Sequence, residues 1–195
     1  MDSFEFLLTF VSIIIAIGIT DLVFSFHRLL RVRKTIELSW LPLIWSIFTF
    51  MLLIREWFGF EHVLRVDLTT TSLGFTILIL PVFITLLMAL AVLPDKTPKP
   101  GFSLQEWFEQ ESKYFFILFF LSLFLTYFSA VIREQADFPL TLQNLTNQRW
   151  IGRFLILSLS LCLVFIKNRT FHRIMAILFL IWIIWMNSGQ QLELQ

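Results

Sequence analysis

Residues 68–94 read LTTTSLGFTILILPVFITLLMALAVLP, 27 positions without one charged side chain. A helix needs about 20 mainly apolar residues to cross a hydrocarbon core about 30 Å thick, and this run exceeds that length. The segment sets the class of the protein: a chain of membrane-spanning helices. The same criterion, carried outward, finds charge-free windows at 6–20, 38–54, 114–132, 154–166 and 174–192. The windows at 114–132 and 174–192 suffice alone. The first reaches spanning length by running from residue 4 to residue 30 with Asp21 and His27 included. The second does so by starting at Trp40 and carrying Arg55 and Glu56 near its far end, where an arginine snorkels. The window at 154–166 needs Trp150 and Arg153 as an interfacial start. The expected fold is all-α: one transmembrane domain over 1–195, a bundle of about six helices at 4–30, 40–60, 69–93, 113–132, 150–167 and 171–188.

Composition agrees with that class. Hydrophobic residues make up 57% of the 195 positions and charged ones 15%, against about 45–50% and about 25% in soluble domains. Phenylalanine occurs 24 times, glycine and proline 6 times each, so mostly continuous helices are expected in place of broken, hinged ones. A net charge of +1 argues against a nucleic-acid partner. The single cysteine, Cys162, excludes an intrachain disulfide and reads as a small buried or lipid-facing residue. No basic n-region or small-residue cleavage site accompanies the first segment, which reads as a retained helix.

Lysine and arginine orient the segments. Arg28, Arg31, Arg33 and Lys34 follow the first, Lys96, Lys99 and Lys113 lie between the third and fourth, and Lys167, Arg169 and Arg173 lie between the fifth and sixth. The opposite loops carry Arg55, Arg65, Arg133, Arg149 and Arg153. Ten against five places both termini outside the cytoplasm by the positive-inside rule. Trp40, Trp57, Trp107, Trp150 and Trp185 fall near segment ends, as an aromatic belt requires. In the connection PDKTPKPGFSLQEWFEQESKY, Ser103 and Glu106 fit a capping box, and Leu104, Trp107 and Phe108 share one face. The spacing predicts a short amphipathic helix, Ser103 to Ser112, on the cytoplasmic membrane surface between helices three and four. Pro81 predicts a kink, or backbone opened to a neighbour, midway along the third helix.

The charge left inside an apolar segment is Asp21, in GITDLVFSFHRLLRVRK at 18–34. Gly18, Asp21, Ser25 and Arg28 recur every three or four residues and form one polar, small-residue stripe. A carboxylate turned to lipid costs about 2.5–3.5 kcal/mol even on the lenient insertion scale, so this stripe is expected to face protein. Asp21 is expected to pair with Arg173 or Lys167 across helices, with Arg28 as the partner on its own helix; a proton or cation site is the functional alternative. A second set, Arg55, Glu56, Glu61, His62, Arg133, Glu134, Arg149 and Arg153, falls in or beside the external loops. It either lines a mixed-charge vestibule or forms loop ion pairs.

Other chemistry finds little support. The chain has no Walker loop, GxGxxG, HExxH, GxSxG or CxxC, so no catalytic residues, cofactor or metal are assigned. His27 and His172 lie at the cytoplasmic ends of segments and lack a third ligand. Lys167 sits at a helix end, which disfavours a buried Schiff base. Asn144 and Asn168 begin N-x-T sequons. SFHRLL at 25–30 is echoed by TFHRIM at 170–175, through shared interfacial chemistry or common ancestry.

The stretch GITDLVFSFHRLLRVRK resembles the opening of a group of small bacterial membrane proteins whose first helix ends in an acid-Leu step and then an Arg-Leu-Leu-Arg-like run. The resemblance covers about the first 34 residues and the six-segment layout, with Asp21, Arg28 and Arg31 as the matching positions. It implies a bacterial inner membrane and carries no activity with it. The sequence is thus expected to encode a non-enzymatic sensor or partner subunit in the bilayer, as a homo-oligomer or beside another membrane protein. A small oligomeric channel or transporter is the alternative.

Overall fold

The computed structural model describes residues 3–63, 72–134 and 148–188, and side chains within 5–59, 72–131 and 150–188. The described residues form six helices: α1 (Ser3–Val32), α2 (Trp40–Val63), α3 (Ser72–Ala91), α4 (Leu104–Glu134), α5 (Gln148–Phe165) and α6 (Arg169–Ser188). Five of them are long and apolar enough to cross a membrane, and the apolar part of α5, Trp150–Phe165, is shorter.

α2 lies at the middle of the bundle. It packs against α1, α3 and α6 and touches α4, while α3 also joins α1 to α4, and α5 rests on α4. The abundant phenylalanine finds its use where α2, α4 and α6 meet. Trp45 is fully buried and sits edge-on or tilted to Phe48, Phe115, Phe116, Phe119 and Phe179 at centroid distances of 5.4, 5.6, 5.2, 5.7 and 5.9 Å. Lipid tails are as apolar as these side chains, so burial alone does not drive helices together in a bilayer; close packing does. Offset aromatic pairs supply it, at about 0.5–1.5 kcal/mol each.

At Gly18 three helices approach one another closely. A Cβ built there would lie 3.1 Å from Leu53 Cδ1 on α2 and 3.3 Å from Leu86 Cδ1 on α3. Gly18 is also halfway along the 30 residues of α1, so Gly18, Leu53 and Leu86 define the middle level of the bundle. α3 runs through Pro81, which is buried, without a break in the helix.

The three short connections gather at one end, the end richer in Lys and Arg. The segment after α1 pairs with the segment before α4: Gly101 N donates to Thr35 O at 2.8 Å, Glu37 N to Phe102 O at 2.9 Å, and Leu104 N to Glu37 O at 3.0 Å. Gly101 has φ of 82°, a conformation a side chain resists. In the α5–α6 hairpin, Asn168 caps α6, its Oδ1 accepting from Thr170 N at 2.8 Å and Phe171 N at 3.3 Å. Arg169 then ties this hairpin to Glu109 of α4 at 2.7 Å.

One element differs in kind from the sequence expectation. Residues 104–112 are not a separate surface helix but the first turns of the 31-residue α4. Leu104 and Phe108 are fully buried, Phe108 facing Phe115 and Phe116 at 6.2 and 6.1 Å. Their apolar face meets protein, and no Gly or Pro interrupts the chain from Leu104 to Glu134.

Candidate functional site

Three polar side chains from three helices meet near the middle level. Glu56 lies 16 residues past Trp40 on α2, about 24 Å along its helix, and about 4.5 Å beyond Leu53. Ser122 lies 18 residues past Leu104 on α4, about 27 Å along. Thr85, one residue before Leu86, supplies the link from α3. Its hydroxyl stands 2.7 Å from Glu56 Oε1, 2.9 Å from Ser122 Oγ and 3.1 Å from the carbonyl of Pro81. Thr85 and Ser122 are buried. The second carboxyl oxygen, Glu56 Oε2, is shielded from solvent and has no hydrogen-bond partner among the described residues.

Around this centre the charges step toward the end opposite the basic one. Arg55 lies 5.9 Å from the Trp182 ring of α6, with Tyr127 and Glu56 as its electrostatic neighbours. Arg153 of α5 lies over Tyr127 at 6.0 Å and over Trp150 at 4.6 Å. The guanidinium groups are thus held against aromatic faces, a way to keep a cation among rings. On the α1 side, Trp57 Nε1 donates to Ser12 Oγ at 3.0 Å.

Of the vestibule set, Arg55 and Glu56 lie within α2, as the expected helix at 40–60 has them, and α2 continues past them to Val63. Arg153 is the only other member of that set with a described side chain; Glu61, His62, Arg133, Glu134 and Arg149 lie outside the described side chains. Thr85 and Ser122 were missed by the sequence reading. The signal for them was present: each is a lone polar residue in an apolar run, FITLLM and FFLSLFL.

The Asp21 stripe does face protein, with Ser25 buried at 1% exposure. The cross-helix pairing, however, is not formed. Arg28 Nη2 donates to Ser25 Oγ at 2.6 Å, and the charged neighbours of Asp21 are Arg28 and Asp95. Arg173 instead lies 5.8 Å from the Trp40 ring, and Lys167 is exposed in the hairpin. The physical reason is helix order: α6 packs on α2, whereas α1 packs on α2 and α3. A stripe of 21, 25 and 28 also needs no direct contact between its ends, since Ser25 stands between them.

His172 stacks on Phe116 at 4.9 Å and its Nε2 donates to Ile166 O at 2.6 Å, a packing role. Among the described residues no group of three His, Cys, Asp or Glu side chains is placed to hold a metal. At the basic end, α3 stops at Ala91 and leaves an open groove of about 720 Å³ whose lining includes Leu87, Leu90, Tyr114, Asp95, Lys99 and Glu111. No known protein family, curated protein or solved structure matches the chain.

Proposed function

We propose that the chain is a multi-pass protein of a bacterial inner membrane that acts without catalysis, as a sensor or partner subunit bound to another membrane protein. In this reading α5 completes six spans, both termini lie outside the cytoplasm, and the first turns of α4 extend beyond the hydrocarbon on the cytoplasmic side. At 1.5 Å per residue a helix of that length measures about 46 Å, well over the bilayer core.

The observation that carries the partner reading is the groove beneath the end of α3. Its lining joins apolar side chains to both signs of charge, Lys96 and Lys99 with Asp95 and Glu111. A mixed lining suits a polypeptide segment with charges of its own better than it suits an anionic lipid headgroup, which needs cations alone. The groove also rests on a fixed support, the paired segments around Glu37 and Phe102.

Photo-crosslinking in native membranes tests this reading. A crosslinker at Leu90 or Tyr114 is expected to give a protein adduct of one defined mass, absent from Ile177 on the exposed face of α6. The adduct should disappear when Lys96 and Lys99 are changed to glutamate. Lipid adducts alone from the groove positions would refute the partner reading. The second reading, a small oligomeric channel or transporter, is favoured by the mid-level carboxyl of Glu56; ion flux in liposomes that Glu56→Gln abolishes would establish it over the first.

A further inference from the structure

We infer that Glu56 is a reversible proton-binding site inside the bundle and that the hydroxyl of Thr85 is the element that adapts to its two states. Either activity proposed above can use such a site, and it stands on separate observations.

Thr85 has one hydroxyl hydrogen and three oxygen neighbours: Glu56 Oε1 at 2.7 Å, Ser122 Oγ at 2.9 Å and Pro81 O at 3.1 Å. When Glu56 is ionised, Thr85 donates to Oε1 and Ser122 donates to Thr85. When hydronium delivers a proton to Oε1, its own O–H bond breaks, water leaves and a new O–H bond forms on the carboxyl, while the covalent bonds of Thr85 and Ser122 stay intact. That O–H then donates to Thr85 Oγ1, and the Thr85 hydrogen turns to the Pro81 carbonyl. The proton leaves by the reverse rotation. Both arrangements fit the same heavy-atom positions, so the site changes charge without repacking three helices. A carboxyl whose partners are all fixed N–H donors is suited only to its ionised state.

Among the described residues, Glu56 is the carboxyl at this level. On α2 its charged neighbour is Arg55. α3 carries no titratable residue from Ser72 to Ala91, α1 none between Glu5 and Asp21, and α6 none from Ile174 to Ser188. On α4 the titratable group at this level is Tyr127, which acts through Arg55. Oε2 is shielded from solvent and has no hydrogen-bond partner among the described residues.

Infrared spectroscopy of the full chain in lipid nanodiscs, titrated from about pH 4 to about pH 10 to bracket perturbed carboxyls, reads this directly. A protonated carboxyl shows a C=O stretch that the carboxylate lacks. The expected result is a reversible C=O band that persists in Asp21→Asn and vanishes in Glu56→Gln. Thr85→Val, which removes the hydroxyl at similar shape, should change the band frequency and move its midpoint by about one pH unit, tenfold in proton affinity. Thr85→Ser should restore the wild-type midpoint. If Glu56→Gln fails to fold, the Val and Ser pair at Thr85 decides alone. The inference is overturned if no titrating band depends on Glu56 or Thr85. It is overturned equally if Thr85→Val leaves frequency and midpoint unchanged, or if the band answers to added Na⁺ at constant pH and not to protons.

Discussion

Replacing Trp45 separates packing from polarity at the centre of the aromatic cluster. Its indole is fully buried and touches five rings on α2, α4 and α6, while its Nε1 is buried with no acceptor among the described residues. Trp45→Ala removes all of those ring contacts and leaves a cavity that lipid cannot enter; large-to-small changes of this kind cost about 3–5 kcal/mol. Trp45→Phe keeps one ring and most contacts. It opens a smaller void but also deletes an unsatisfied buried N–H, which itself costs about 1–3 kcal/mol, so the two effects nearly cancel and the net change should stay within about 1 kcal/mol. Reversible unfolding in mixed micelles, followed by circular dichroism, measures both, with Trp185→Ala as the control because Trp185 is 70% exposed. An alanine variant at Trp45 as stable as the Trp185 control, or a phenylalanine variant as damaged as the alanine one, would refute this account of the core.

Three further outcomes follow from named contacts. Gly18→Ile should destabilise the bundle by about 1–3 kcal/mol in the same assay, and Gly18→Ala much less, since the atoms facing its Cβ are the mobile ends of Leu53 and Leu86. A double-mutant cycle should find coupling between Asp21→Asn and Arg28→Gln and none between Asp21→Asn and Arg173→Gln, because Arg28 and not Arg173 neighbours Asp21. Asn168→Ala should cost about 1 kcal/mol through the lost cap of α6, and Asn168→Ser or Asn168→Asp should recover most of it.

What the sequence discloses here, and what it hides, follows from which physical quantity decides each feature. The helices are legible because a bilayer tolerates few charges, and the charge-free runs show where they lie. The protein-facing side of Asp21 and Ser25 is legible for the same reason. Partners are not, since they depend on helix order: the cation-rich α5–α6 hairpin docks on α4 and α2, so Arg173 meets Trp40 and Arg28 serves Asp21. Depth is hidden as well. Glu56 falls inside the expected helix at 40–60, but beside Arg55 and near Glu61 and His62 it reads as part of a surface helix end until the contact of Leu53 with Gly18 fixes its level. Amphipathicity of Leu104, Trp107 and Phe108 is plain in the spacing, but spacing does not say whether lipid or Phe116 covers that face. Asn168 reads as a sequon or as a cap according to whether a helix begins at the next residue.

The central claim is that the Glu56, Thr85 and Ser122 site lies at the middle of a membrane-embedded bundle, and nitroxide depth measurement tests it most directly. Phe83 and Phe124 are exposed at 39% and 44%, two residues from Thr85 and Ser122 respectively, on the outer faces of α3 and α4. Spin labels placed at these two positions in lipid bilayers should relax strongly with oxygen and weakly with a water-soluble nickel chelate, while a label at Lys34 should do the reverse. Nickel accessibility at Phe83 and Phe124 equal to that at Lys34 would contradict the account.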